Sequence, residues 1–348
     1  PITGKTYTAE SRELTVKIAE EVTIEGKQAL SRKANANMTF NLAEYGVTEI
    51  TKFTVADIEI ANTDYTFAEG VLTLASNKIA TNGNVDVVIN ATTENGTLIA
   101  TAKAVVADYT IGTVAELNAF GSYCASYGEA TQTAYTYVVL TDNVDYNNGV
   151  FSDVYTGGYF YGVFDGQGYT ISNVKVKNSF FVGVKGNNNT TQQSIVKNVS
   201  FVNLVKHTSN GGGLLTNELT NAVIDNVYIS GVVEQYTNAT ACGAICNNAN
   251  YATVKNCVVE VDYKAATAGT MPGLMGSCTA NEMKIDNVFV VSSNASNNLI
   301  TTNNGATITN SKVYATADAF KAEVTAVPNG FSAEYWEMKD GMLVFKTK

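Results

Sequence analysis

The chain has 348 residues, of which 45% are hydrophobic and 16% charged, and its net charge is −10. That length suits two domains, and that apolar content is ample for a core. The acidic balance excludes a nucleic-acid binder, which needs a basic face, and with only Arg12 and Arg32 the chain lacks the arginines for a bidentate clamp on phosphate.

No apolar run reaches the roughly 18–20 residues that span a bilayer. The chain begins at Pro1 without a signal segment, which reads as a trimmed product and leaves secretion open. Residues 1–108 read as alternating strands. These are Leu14 to Ile18, Met38 to Leu42, Phe53 to Val55, Val71 to Leu74, Val85 to Ile89 and Leu98 to Val106, with turns around Asn62, Glu69 and Gly83. Short strands at such spacing predict a β-sandwich. A Cys-Trp-Cys pattern is missing, which excludes an antibody-type domain.

Residues 107–112 read as a hinge. Thr113-Val114-Ala115-Glu116 then has the form of a capping box. Val114, Leu117, Phe120 and Cys124 follow at helical spacing, which predicts a helix over about 113–127 that covers the open end of whatever comes next.

What comes next is a repeat. A branched aliphatic, any residue, an asparagine, then an apolar residue three positions on recurs six times. The asparagines are Asn173, Asn198, Asn226, Asn256, Asn287 and Asn310, stepping by 25, 28, 30, 31 and 23 residues. A second mark keeps time with it, since Gly183, Gly213, Gly243 and Gly273 stand 30 residues apart. Such periods signal a solenoid, each repeat one coil stacked on the last. Around the asparagine, Ile224, Val227 and Ile229 alternate with polar residues, and the repeats are dense in Asn, Thr and Gly, so the coils are built of strands rather than helices. An asparagine tolerates left-handed backbone angles, so it turns the chain at one corner of each coil. Stacked corners predict an amide ladder, about 4.8 Å per step. The coils span about 137–315, and 316–348, with Trp336 and Phe345 flanking Asp340-Gly341, read as a hairpin that closes the C-terminal end.

Two surface features stand out. Tyr155, Tyr159, Phe160 and Tyr161 cluster around Gly157 and Gly158; they either roof the first coil or offer rings to a sugar or a protein partner. The position two after the asparagine faces outward and holds Tyr228, Val258 and Phe289 in successive coils. That row is either an apolar contact stripe or a surface covered by another part of the chain.

Catalytic chemistry is sparse. Glu260 and Asp262 lie two apart on one strand, roughly 7 Å, a separation within reach of a glycosidase pair or of two solvated acids. The single histidine, His207, sits in a polar loop. The five cysteines fit no zinc spacing and read as buried thiols, a Cys246–Cys278 bridge being the alternative. No motif calls for a metal or cofactor.

The stretch Tyr137 to Asp145, followed by Tyr161-Gly162-Val163-Phe164-Asp165-Gly166-Gln167-Gly168 through Asn173, resembles the first coil of GLUG-type right-handed parallel β-helix proteins. The steps Gly213-Leu214, Gly243-Ala244 and Gly273-Leu274 are similar to the motif that names them. Residues 1–108 resemble a bacterial Ig-like domain. The resemblance implies an all-β chain: an Ig-like β-sandwich at 1–108, then a right-handed parallel β-helix with a short capping helix at 109–348. It also implies a bacterial protein on the outer cell surface or outside the cell. It assigns Asp142, Asp145 and Asp165 to turns and strand ends, and supplies no catalytic residue. The expected role is adhesion or glycan binding through Tyr155, Tyr159 and Tyr161, with a glycan or a host or cell-surface protein as partner. The alternatives are a polysaccharide lyase or glycoside hydrolase using Glu260 and Asp262, and a structural surface or fibre component assembling through Tyr228, Val258 and Phe289.

Overall fold

The structure, a computed structural model, describes residues 19–34, 36–127, 133–151, 158–187, 192–207, 211–234, 242–264, 271–278 and 282–348. It is mostly β and divides into two compact units, 1–106 and 107–348.

In the first unit a five-stranded sheet runs in the order Ala19–Ser31, Gly96–Ala107, Gly83–Thr93, Val47–Val55, Ile58–Glu59. A three-stranded sheet runs Met38–Asn41, Val71–Leu74, Tyr65–Ala68. Along Gly83–Thr93 the burial alternates residue by residue, placing Val85, Val87, Ile89 and Ala91 in one cluster with Phe40, Phe53, Leu72 and Leu74. The period of two in the sequence is this alternation. The strand Ala19–Ser31 lies at a sheet edge with Glu20, Glu21 and Glu25 exposed, where charge discourages further pairing. The expected strand at Leu14 to Ile18 lies outside the described residues.

In the second unit, the stretch expected as a hinge contains a strand. Tyr109–Ile111 is a strand paired in parallel with Thr136–Leu140, and the Asp108 carboxylate accepts from the Tyr137 amide at 2.8 Å. Helix α1, Val114–Ala125, follows. The Thr113 hydroxyl accepts from the Glu116 amide at 3.2 Å, and Glu116 in turn accepts from the Gly112 amide at 2.9 Å. Its buried face, Leu117, Phe120 and Cys124, sets Phe120 against Phe160 and Phe164 at 5.8 and 5.9 Å.

The repeat then stacks strand on strand. Gly162–Asp165, Ser194–Lys206, Ala222–Val233, Thr253–Tyr263 and Lys284–Val291 pair in parallel, and Thr307–Thr309 and Lys312–Tyr314 both join the last of them. A second parallel sheet runs Phe181–Lys185, Thr216–Thr220, Cys246–Asn250, Met275–Cys278, Ile300–Asn303. Between the sheets, Val196, Val199, Phe201, Ile224, Val227, Ile229, Val254, Cys257 and Val259 belong to one fully buried core. Gly243 is required where the chain closes on itself: a Cβ there would lie 2.5 Å from the Met275 Cα.

All six repeat asparagines have φ between 47° and 56°, the left-handed region. The amide ladder is corrected in its partners. Asn173, Asn198, Asn256 and Asn310 donate to Asp145, Asp165, Asp225 and Asp286, at 2.8–3.1 Å. Among the described residues only Asn287 reaches another repeat asparagine, Asn256, at 3.3 Å. A carboxylate is the stronger acceptor and wins the amide proton where one is in reach.

The C-terminal residues are also corrected. They do not close the end of the stack. Helix α2, Ala317–Glu323, and the hairpin of Trp336–Lys339 and Met342–Phe345 belong to a segment that returns along the outer face of the long sheet. The Asn287 amide donates to the Asn329 carbonyl at 2.8 Å, the Ser332 amide to Asn226 at 3.4 Å, and the Asn143 amide to the Lys348 carbonyl at 2.9 Å. The segment thus runs from the last coils back to the first.

Candidate functional site

The parallel register of the shorter sheet lines up Gly183, Glu218, Asn248, Ser277 and Thr302, one per strand. In each of the middle strands the next residue, Leu219, Ala249 or Cys278, is buried in the core, so alternation turns this row outward. Glu218, Asn248 and Ser277 are half-buried and Thr302 is exposed. The Ser277 hydroxyl donates to Asn248 at 3.3 Å, and Glu218 forms an ion pair with Lys185.

Tyr159 stands at the head of this row. Phe160 bridges to Val184 in parallel, which extends the sheet and brings Tyr159 beside Gly183. The Tyr159 ring covers that glycine: a Cβ on Gly183 would lie 2.3 Å from its Cδ1. The Lys185 ammonium sits 3.5 Å from the ring centroid, a cation–π contact that fixes the ring's place. Tyr161 donates to Gln192 at 2.6 Å and packs edge-on against Tyr135, with centroids 4.9 Å apart. Burial pushes the Tyr135 phenol above its ordinary value. Phe160 itself points into the core, with 1% exposure. The arrangement is a half-exposed aromatic edge continuous with a line of uncharged polar side chains and one neutralised ion pair. Such a surface donates and accepts hydrogen bonds and sets aromatic edges beside them.

Tyr159 thus packs on Gly183 and Lys185, Tyr161 on Tyr135 and Gln192, and Tyr155 lies outside the described residues. Sequence reasoning missed Tyr135 and the row from Glu218 to Thr302. The signal was present in the glycine spacing, because Glu218 and Asn248 each stand five residues after the marked glycines Gly213 and Gly243.

The other expected sites fare differently. Glu260 accepts from the Tyr228 hydroxyl at 3.0 Å, whereas Asp262 pairs with Lys264 at 3.0 Å. The two acids are committed to separate partners. Burial, then the Glu260 charge, raise the Tyr228 phenol. The stripe of Tyr228, Val258 and Phe289 is not a free partner surface. Val258 is 0% and Phe289 8% exposed, under Phe331, Tyr335, Trp336 and Phe345. Phe331 stacks on Phe289 with centroids 5.8 Å apart and planes 12° off parallel. An uncovered row of these three residues would leave apolar area in water, and the returning segment removes it.

Beside the asparagines lies a row of charged residues. Asp165, Lys197, Asp225, Lys255 and Asp286 are successive register partners, alternating in sign. Lys197 meets Asp165, and Lys255 meets Asp225, at 3.2 Å each. Asp165 is 3% exposed and its oxygens also receive Asn198 and the Gln167 amide, so it is a satisfied structural carboxylate.

All five cysteines are buried free thiols. Among the described residues no three of His, Cys, Asp and Glu come together to hold a metal ion, and no helix is long and apolar enough to cross a membrane. No protein-family model matches the chain, and no curated protein matches it in sequence.

Proposed function

We propose that this chain is a glycan-binding or adhesive protein of the bacterial cell surface or exterior. In this reading the first unit is an Ig-like spacer, and the second is a GLUG-type right-handed parallel β-helix that displays the binding face. The observation that carries the reading is the Tyr159 ring, seated on Gly183 at the head of an outward polar row, with Tyr161 and Tyr135 alongside. Sugars are recognised by an aromatic plate against their CH faces and by neutral hydrogen-bonding groups around their hydroxyls. Both kinds of group are held here on a rigid sheet, so little ordering opposes binding.

A glycan array probed with the wild-type chain and with Tyr159→Ala tests this. The wild type binds a defined set of glycans, and the variant binds the same set about tenfold more weakly or worse. Binding indifferent to the substitution would remove the site. The enzymatic reading would need Glu260 and Asp262 to act together on one substrate, and their engagement with Tyr228 and Lys264 favours binding over turnover.

A further inference from the structure

We infer that the row Glu218, Asn248, Ser277 and Thr302, headed by the Tyr159 ring, is a track for an extended, uncharged pyranose chain laid across the strands, one sugar per strand. This rests on the glycan-binding reading and goes beyond it in naming the polymer's shape, charge and direction.

Three observations point the same way. The register is unbroken from Gly183 to Thr302, so the side chains repeat at the strand spacing, about 4.8 Å. That spacing is close to the advance of one pyranose along an extended β-1,4 chain, so successive sugars fall opposite successive strands. Beyond Glu218 the row carries only neutral donors and acceptors, the Asn248 amide and the Ser277 and Thr302 hydroxyls. A polymer of identical units needs such a repeating partner; a single epitope does not. The charge also selects. Glu218 is already balanced by Lys185, so a neutral chain meets a neutral row, whereas an acidic chain would bring its carboxylates beside Glu218.

The test is calorimetric titration with β-1,4-linked oligomers of glucose, mannose, xylose and N-acetylglucosamine, from two to six units, and with oligogalacturonate as the acidic control. We expect one neutral series to bind with affinity rising roughly tenfold from dimer to pentamer and then levelling. Asn248→Ala and Thr302→Ala, both on the outer row and both checked for unchanged melting, should flatten that rise. Thr302→Ala should spare the dimer, which Tyr159 and its nearest strands hold. Tyr159→Ala should weaken every length. Affinity independent of length and of Asn248 and Thr302, but lost with Tyr159→Ala, overturns the track and leaves a local tyrosine site. Tighter binding of oligogalacturonate, or binding on the array of branched or acidic glycans only, also overturns it. If no glycan binds the wild type, the functional reading itself falls, and the track with it.

Discussion

The two parallel sheets of the second unit share one repeat, one core and one chain, yet they meet their surroundings in opposite ways. On the long sheet the outward positions hold Tyr228, Val258 and Phe289, and the C-terminal segment seals them with Phe331 and Trp336. On the short sheet the corresponding outward row is Glu218, Asn248, Ser277 and Thr302, half-buried or open. A sheet face that is apolar recruits cover, because leaving it wet costs free energy in proportion to its area. A polar face carries no such demand and stays available. The contrast explains why the candidate site sits with the asparagines and threonines rather than with the aromatic stripe.

The sharpest way to break the comparison is to strip the cover. Trp336 is 1% exposed, and Trp336→Ala should lower unfolding stability by about 3–5 kcal/mol in a denaturant titration, through lost burial and the cavity left. The glycan binding proposed for the short sheet should survive under folding conditions. If it does not, the two faces are not independent.

Alkali probes the core that both sheets share. Burial raises Cys242 from its ordinary 9.0 to about 11 and Cys124 from 9.0 to about 12, and it raises Tyr228 and Tyr335 as well. The unfolded chain gives up these protons first. Their contribution to stability is therefore complete below pH 9.0 and is lost as the pH rises through the folded values. Lys206 acts in the opposite sense, since burial lowers it from 10.5, so that folding gains as the pH climbs. One amine stands against several thiols and phenols, so the melting temperature should fall steadily above pH 9.0.

At the corner between strands, Asn256 has φ 54° and donates to Asp225. Asn256→Ala should cost about 1–3 kcal/mol, through strain and the lost bond. Asn256→Gly, which keeps the left-handed turn, should recover part of it, and equal losses for both would deny the backbone its share. The smallest effect belongs to the charge row. Lys255 is 42% exposed at its side chain, and Lys255→Met should change stability by less than about 1 kcal/mol, by an amount that shrinks in high salt.

Much of this was legible in the chain. The asparagine period gave the stacking and the corner, because only a few residue types accept a left-handed turn and a repeat must place them alike. The apolar period of two gave the inward side chains, and Thr113 with Glu116 gave the start of α1. The row from Glu218 to Thr302 was harder to see. Its residues differ in type, and before the strands are aligned only the spacing of Glu218 and Asn248 from Gly213 and Gly243 marks any of them. The same holds for Asp165, Lys197, Asp225, Lys255 and Asp286, which are unremarkable singly and alternate in sign only when stacked.

The sequence by itself determined the mostly β character, the coil period, the asparagine turns and the buried aliphatics, since each follows from local conformational preference and from which atoms avoid water. Tertiary structure alone decided that residues 316–348 turn back along the outer face rather than close the end. It also decided that Asp accepts what Asn was expected to share, and that Tyr159 heads a polar row. Those outcomes depend on which surfaces meet between residues well separated along the chain, and no local pattern encodes contacts of that kind.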